Sequence, residues 1–481
     1  EPGNVLADFY AVPTLFKPNA FHLAFCWLPI FRSAEAANAA FFCLYVLLVP
    51  LLTFLVIRDL DGEPWLALLS FLPLYNFNVC WGLVGFVASV PLTLLLFRIL
   101  SRHLEGPTTG SAIAVVGTLV LFFFVHAQAT LFAALLLVTM TAVRLRGSLL
   151  RGVRHLLLTL PALTIFALWW VRDWASTEPS GDPMGTFVAL RDYYLHEYLA
   201  SLPRRSSPLF LADNTFLGTS APYVAAGAAF FLVLGGFAAT GVVRWIRSSD
   251  LGNGRRRLEA PLVLLGCSTA CYFLLPENLP GHQFVSQRFS VVVLLALVIL
   301  AGALARGPAR RLAVGTAVAA ACLHAALWTS YFLSFQGENA GFDRRLLPDA
   351  SRGPMAGLIY ERYFRDRPVY IHFQNYQIVW NRGIATTKLV DFRFGLIRRR
   401  VPETVLPVYR DWPGPEDPYR GWYSDLPSIL VRGAVPPEDA RYLREYRVAA
   451  RRGAWSLYEK PASPAAPLPN DEGRRSPAGP P

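Results

Sequence analysis

Residues 39–57 read AAFFCLYVLLVPLLTFLVI, a run that contains no charged side chain. A helix needs about 20 predominantly apolar residues to cross a hydrocarbon core about 30 Å thick. This run comes close to that length and contains almost nothing that lipid would exclude. It therefore predicts a membrane-spanning helix.

Similar runs recur over roughly the first 335 residues. They lie at 79–97, 154–171, 222–243, 260–275, 289–305 and 312–334. With the irregular regions described next, they predict an α-helical polytopic membrane protein with about ten spanning or half-spanning helices. The transmembrane domain is expected to cover residues 39–335, after an interfacial segment at 1–38 that lies outside.

Two apolar regions do not fit a single regular helix. Residues 63–75 are short and bracketed by prolines, and residues 112–143 are too long for one comfortable helix. Arginines flank both ends of 112–143, so both ends are expected on the same side. The region then forms a hairpin of two short helices, with His126 and Gln128 near a tip that must face protein or a wet cavity.

The composition agrees with this interpretation. Hydrophobic residues make up 54% of the chain and charged residues 16%, whereas soluble proteins carry about 25% charged residues. Short Arg-rich connectors are retained on the cytoplasmic side of a membrane. The net charge of +12 is therefore a sign of topology, and no nucleic-acid partner is expected. We predict a multi-pass protein of the inner (plasma) membrane. The connector arginines are Arg98, Arg102, Arg144, Arg146, Arg151, Arg154, Arg244, Arg247, Arg255, Arg256, Arg257, Arg306, Arg310 and Arg311.

The pattern changes at about residue 336. Residues 368–373 and 428–432 alternate like strands, 437–446 resembles a helix begun by proline, and 455–460 resembles a final strand. A small extracytoplasmic α/β domain over 336–460 is the prediction. The Pro- and Ala-rich tail at 461–481 is expected to be disordered.

Neither a metal site nor a nucleotide site is indicated. The six cysteines lie in or beside apolar runs, the histidines are scattered, and no P-loop or dinucleotide fingerprint occurs. No cofactor is expected. Because the sequence opens on Glu1, we expect that a segment precedes it in the complete protein.

Polar residues at membrane depth are the candidates for function, because burying them in lipid is costly. Arg288 directly precedes a predicted span, where an arginine fork suits a phosphate group, and Gln287 and His282 are its expected companions. For a general base, the outside face offers Asp8, in the interfacial segment, and six other carboxylates: Glu35, Asp173, Asp192, Glu197, Asp213 and Glu277. The predicted cavity-lining residues are His126, Gln128, Tyr75, Asn76, Asn78 and His22.

Two short motifs resemble segments of a known class. These are PLYNFN at residues 73–78, which runs into WGLVGF at 81–86, and FVHAQ at 124–128. Together with the many spans, the interfacial segment and the external domain, they resemble the GT-C superfamily of polyprenyl-phosphate-dependent membrane glycosyltransferases. The resemblance covers roughly residues 1–335.

The resemblance implies a reaction and roles for two residues. It implies inverting transfer of a sugar from a polyprenyl-phosphate-linked donor, itself a membrane lipid, to an acceptor of the bacterial cell envelope. A carboxylate in the first outside loop acts as general base, a role that falls to Asp8 here. A basic residue near a late span holds the lipid phosphate, and Arg288 matches that position.

Two other functions stay open at the level of sequence. A transporter or lipid flippase would be built from symmetrically related halves with a polar site at the midplane. A non-catalytic membrane scaffold would bind a partner through its external domain. A cavity open to the outside and lined by Arg288, His126 and a carboxylate would favour the transferase.

Overall fold

The computed structural model describes residues 5–145, 148–175, 183–216, 221–247, 253–278, 283–305, 309–365, 367–387, 390, 395–409 and 421–461. The expected disordered tail lies outside these residues from position 462 onward. The helices of the first part are α1 (Val5–Phe9), α2 (Ala20–Cys26), α3 (Ala34–Asp59), α4 (Phe77–Cys80), α5 (Val84–Glu105), α6 (Thr109–Val125), α7 (Ala127–Arg144), α8 (Leu149–Leu156), α9 (Leu160–Ala175), α10 (Pro183–Asp192), α11 (Tyr198–Ser206), α12 (Pro208–Phe216), α13 (Ala221–Arg247), α14 (Asn253–Leu274), α15 (Ser290–Leu304) and α16 (Ala309–Glu338).

Six helical segments in the described part of the chain are long and apolar enough to cross a membrane, so the protein is membrane-embedded. They are Ala34–Asp59, Val84–Glu105, Ala127–Arg144, Gly152–Arg172, Gln287–Leu304 and Arg310–Glu338. Shorter apolar helices lie at Thr109–Val125, Tyr223–Gly236 and Leu258–Leu274. The count of about ten crossings stays a prediction.

Helix α15 is the central helix of the bundle. Every residue from Ser290 to Ala303 is buried, because the helix is apolar around its whole circumference and packs against neighbours on all sides. Helices α3, α13 and α14 and the 3₁₀ turn Pro64–Phe71 surround it. The residues at the start of α15 are therefore anchored to a helix that is buried on every side.

The region 112–143 is a hairpin, as predicted. Helices α6 and α7 meet at His126, whose extended backbone (φ −168°, ψ 128°) breaks the helical hydrogen-bond ladder. Arg144, at the end of α7, lies 3.6 Å from the carboxylate of Glu105, which ends the helix before α6. The two open ends of the hairpin therefore lie together, and His126 marks the opposite tip.

The irregular region 63–75 runs the length of α15. At one end the Glu63 amide donates to the Gly302 carbonyl (2.9 Å), and at the other Asn78 Nδ2 donates to the Arg288 carbonyl (3.2 Å). Fourteen helical residues separate Arg288 from Gly302, a rise of about 21 Å. Residues 63–78 therefore cover the same distance antiparallel to α15, with the 3₁₀ turn Pro64–Phe71 in the middle.

The C-terminal domain contains a four-stranded mixed sheet in the order β2-β4-β6-β5. Strand β2 is parallel to β4, and β6 is antiparallel to both β4 and β5. Two short strands form a separate pair that joins the N-terminal segment to this domain, with Tyr10 opposite Arg399. The elements are β1 (Tyr10–Ala11), β2 (Met355–Ile359), β3 (Arg398–Arg399), β4 (Ser428–Arg432), β5 (Arg447–Arg452), β6 (Trp455–Glu459), α17 (Tyr376–Asn381) and α18 (Pro437–Ala440).

The strands predicted at 428–432 and 455–460 are confirmed, but the strand predicted at 368–373 is wrong. That segment ends in turns that lead into α17. Its alternation has another cause: the Tyr370 ring is fully buried, and its hydroxyl donates to Glu338 Oε1 (2.8 Å) at the end of α16. The helix predicted at 437–446 is only the single turn α18 with a 3₁₀ turn after it.

The bundle has two chemically different ends. At the first, which we call the domain end, Trp380 contacts Glu35 at the start of α3, and Arg367 pairs with Asp213 of α12 (2.6 Å). At the second, the basic end, Asp59 at the close of α3 accepts hydrogen bonds from arginines of α5. Because Glu35 and Asp59 are opposite ends of one helix, the C-terminal domain and the α5 arginines that contact Asp59 lie on opposite sides of the bundle.

Candidate functional site

The site is built around the break between α6 and α7 at the domain end. The edge of the His126 ring packs on Phe86, with ring centroids 5.6 Å apart. Gly85 permits this close approach, since a Cβ at that position would lie 2.7 Å from the Val125 carbonyl oxygen. The same Cβ would lie 2.1 Å from Asn19 Oδ1, so the N-terminal segment also closes against this point.

Arg288 lies in a 3₁₀ turn that immediately precedes α15, and only 7% of it is exposed. One terminal nitrogen donates to His126 Nε2 (2.9 Å) and the other to the Gln283 carbonyl (2.8 Å). Its Nε is buried and has no hydrogen-bond partner among the residues that the structure describes. Among the described residues, no carboxylate lies within ion-pair distance of this guanidinium. A buried cation that contacts only neutral acceptors has spare capacity for an anion.

The contact with Arg288 fixes the state of His126. An arginine side chain only donates hydrogen bonds, so His126 Nε2 must be the accepting nitrogen. The imidazole is therefore neutral and carries its proton on Nδ1. A neutral histidine holds the guanidinium in place without offsetting its charge.

Several predicted residues hold the turn that carries Arg288. Asn78 Nδ2 donates to the Arg288 carbonyl, and Gln128 Nε2 donates to the Val285 carbonyl (2.8 Å). Asn76 caps α4 through the Asn78 amide (2.8 Å). These three amides bind backbone groups, so they position the site rather than line an open cavity.

Aromatic rings cover the same turn. The Phe284 ring contacts Phe77 (4.9 Å between centroids) and Trp81 (4.8 Å). Phe284 has a φ of 61°, a left-handed conformation that costs about 1–3 kcal/mol for a bulky residue. Sequence reasoning missed Phe284 and the Gln283 carbonyl, because neither a backbone acceptor nor a strained φ leaves a mark in the residue types.

A second charged cluster adjoins the first. Gln287 Nε2 donates to Glu277 Oε2 (3.3 Å), and the Glu277 carboxylate lies 3.6 Å from both Arg204 and Arg205. Arg205 is 1% exposed and donates to the carbonyls of Tyr272 and Phe273 in the last turn of α14 and to the Leu275 carbonyl just beyond it (2.6 Å). Arg205 thus caps a helix, while Glu277 is the carboxylate that hydrogen bonding connects to the start of α15. Sequence reasoning did not single out Arg204 and Arg205, and their adjacency, within α11, was a signal that could have found them.

The described contacts of other predicted residues do not include Arg288. Asp8 is exposed on α1, beside Ala7, whose carbonyl accepts from Arg400 of the C-terminal domain (2.8 Å). His22 contacts Asn38 Oδ1 (3.1 Å), and burial lowers the pKa of its imidazole.

Tyr75 stacks on Trp328 of α16, with ring centroids 4.7 Å apart, and belongs to an aromatic contact rather than to the Arg288 network. His282, the expected companion of Arg288, lies outside the described residues.

Two of the cavities that the described residues form are not lined by Arg288 or His126. One of about 610 Å³ is apolar and lies between Phe16 and α9. The Phe16 ring packs on Phe123 (5.5 Å between centroids), close to the tip of the α6–α7 hairpin. The other, of about 190 Å³, lies at the basic end. In the part of the chain that the structure describes, no group of three His, Cys, Asp or Glu side chains is placed to hold a metal ion.

Comparisons with protein-family models, with curated proteins and with solved structures found no match to this chain.

Proposed function

We propose that this chain is a membrane glycosyltransferase that moves a sugar from a polyprenyl-phosphate donor to an acceptor of the bacterial envelope. The reaction would take place at the domain end, on the outer face of the membrane. The observation that carries the proposal is the buried Arg288 guanidinium, which contacts His126 and a carbonyl but no described carboxylate.

A phosphate group suits this position for two reasons. The guanidinium presents donors in a fork that matches phosphate geometry, and a charge-assisted hydrogen bond is roughly twice as strong as a neutral one. The site also lies at the N-terminal end of α15, where the helix dipole favours negative charge. The phosphate of a polyprenyl lipid reaches the depth of Arg288 because the hydrocarbon chain of that lipid lies in the surrounding membrane.

The chemistry that follows is an inverting displacement. An acceptor hydroxyl attacks the anomeric carbon of the sugar, the bond from that carbon to the phosphate oxygen breaks, and the bonding electrons leave with the lipid phosphate. Arg288 stabilises the charge that develops on this leaving group. A carboxylate takes the hydroxyl proton. Neutral His126 positions Arg288 and does not itself react.

Two carboxylates are candidates for the general base. Asp8 is the residue that the resemblance to GT-C enzymes implies, and its exposed side chain is free to meet a large acceptor. Glu277 is linked to the start of α15 through Gln287, but two arginines lie near it. We favour Asp8 for the proton transfer and assign Glu277 to positioning.

The proposal is tested by turnover. The purified full-length protein in detergent is supplied with a short-chain polyprenyl-phosphate sugar, water takes the place of the acceptor hydroxyl, and release of polyprenyl phosphate and free sugar is measured. We expect release by the wild-type chain, and a loss of roughly a hundredfold or more in Asp8→Asn, because general-base catalysis contributes about 10²–10⁴-fold.

The variant Glu277→Gln distinguishes between the two candidate general bases. It keeps the shape of the side chain and lowers the rate less than Asp8→Asn if Asp8 is the base. A larger loss in Glu277→Gln would transfer that role to Glu277. No release from any of several donor sugars, by protein that is folded and monodisperse, would refute the transferase proposal.

A further inference from the structure

A cavity of about 190 Å³ lies at the basic end, on the opposite side of the bundle from Arg288. It is enclosed by the last turns of α3, α5 and α7, three helices with the length and hydropathy of membrane spans. Its position places it at the level of lipid headgroups. Its polar lining is made by Asp59, Arg98, Ser101, Arg102, Glu105 and Arg144.

The carboxylate of Asp59 orients the side chains of two arginines, Arg98 and Arg102, that line this cavity. Asp59 Oδ2 accepts from Arg98 Nε (2.7 Å), and Arg102 donates from Nε and from a terminal nitrogen to the two oxygens of Asp59 (both 3.0 Å). Arg144 joins them from α7, 3.6 Å from Glu105. Three cations and two carboxylates leave one net positive charge in a small space.

The donors of Arg98 are only partly used. Its side chain is 19% exposed, and Nε makes its only hydrogen bond among the described residues. Both terminal nitrogens of Arg98 are therefore available to donate hydrogen bonds to a ligand in the cavity. The hydroxyl oxygen of Ser101, one turn of α5 further on, is buried and has no hydrogen-bond partner in the described structure. Partly buried donors of this kind favour an anionic ligand.

We propose that this cavity binds the phosphate group of an anionic phospholipid from the surrounding leaflet. The polar wall of Arg98, Ser101 and Arg102 takes the phosphate oxygens, and the apolar wall of Leu60 and Phe97 takes the start of the acyl chains. That apolar wall favours a lipid over free phosphate. Basic pockets between membrane helices bind anionic headgroups by the same chemistry. The site does not depend on the proposed transferase activity.

The test uses two substitutions that break the same ion pair. The full-length protein in detergent is titrated with dioctanoyl-phosphatidylglycerol, and the affinity is measured by thermophoresis. Arg98→Gln removes a cation and is expected to weaken binding about tenfold or more. Asp59→Asn removes the competing internal anion and releases the arginine donors, so it is expected to strengthen binding.

A purely structural ion pair predicts the same sign for both substitutions, so weaker binding in Asp59→Asn would overturn the proposal. Arg311→Gln is the matched control: it removes an exposed cation near the start of α16 that does not line the cavity, and should change affinity less than about twofold. Equal binding of dioctanoylglycerol, which lacks phosphate, would also overturn the proposal. Inorganic phosphate bound as tightly as the lipid would refute the choice of a phospholipid.

Discussion

Arg288 and His126 constrain each other at the scale of single residues. The hydrogen bond from Arg288 to His126 Nε2 is 2.9 Å long and largely shielded from water. A second proton on His126 would place two cations at that distance, and their repulsion in a medium of low dielectric would be severe. The imidazole therefore serves as a neutral acceptor that aims the guanidinium, and its own charge state depends on that role.

Replacing His126 tests this role. His126→Phe keeps a ring beside Phe86 but leaves an Arg288 donor without an acceptor, which should cost about 1–3 kcal/mol of stability. His126→Gln supplies an amide oxygen and should cost less. Thermal unfolding in one detergent ranks the three proteins. Equal losses in the two variants would mean that the hydrogen bond contributes nothing.

These residues stood out in the sequence because polar side chains are rare within apolar runs. Arg288 was predicted to hold the lipid phosphate and His126, Gln128 and Asn78 to line the cavity. Contacts join Arg288 to His126 and Asn78, and Gln128 to the Val285 carbonyl of the same turn. The role of the Gln283 carbonyl could not be predicted from the sequence, since every residue carries a backbone carbonyl. Asp8 and His22 were grouped with the site from their place in the chain, and no described contact joins either of them to Arg288.

The break between α6 and α7 is the feature that creates the site at the scale of elements. A continuous helix through His126 would direct its side chain along the helix surface, and the hairpin would be a single long span. The extended conformation instead places the imidazole at the tip, against Phe86 and Arg288. Gly85 is the residue of α5 against which this tip packs.

Gly85→Ala should therefore destabilise the hairpin tip, although Gly85 itself is not one of the residues that contact Arg288. The added methyl group would meet the Val125 backbone, which cannot rotate away, and overpacking of this kind costs about 1–3 kcal/mol. Gly117→Ala in α6 is the control, because its Cβ would meet nothing within 4 Å. Unfolding temperatures of both variants check the prediction. A neutral Gly85→Ala would show that the packing at the tip is loose.

Long apolar runs predicted the elements well, because lipid leaves a span few alternatives. The run at 39–57 lies within α3, and 289–305 matches α15 to within a residue at each end. The alternating pattern at 368–373 led to a wrong strand prediction, since aromatic side chains that pack on α16 produce the same two-residue period as the side chains of a strand. Strand β2 was missed because Ala356 and Gly357 are poor strand formers, and pairing with β4 overrides that preference.

At the scale of the whole molecule, the C-terminal domain is fastened to the bundle at several points around the domain end. Buried Arg432 pairs with Glu338 at the end of α16, and its guanidinium carbon lies 3.6 Å from the centre of the Tyr370 ring. Arg367 pairs with Asp213, and β3 pairs with β1 of the N-terminal segment. The domain therefore covers the end where Arg288 lies, which suits a role in admitting or orienting an acceptor.

The most direct test of the central claim is the affinity of the purified full-length protein for a short-chain polyprenyl phosphate. We predict that Arg288→Gln weakens binding about tenfold or more, as expected for the loss of a charged hydrogen bond. Arg191→Gln, which removes an arginine that is 54% exposed and pairs with Asp192, should leave the affinity unchanged. Equal affinities for the wild-type chain and Arg288→Gln, with both proteins folded, would contradict the assignment of Arg288 as the phosphate-binding residue.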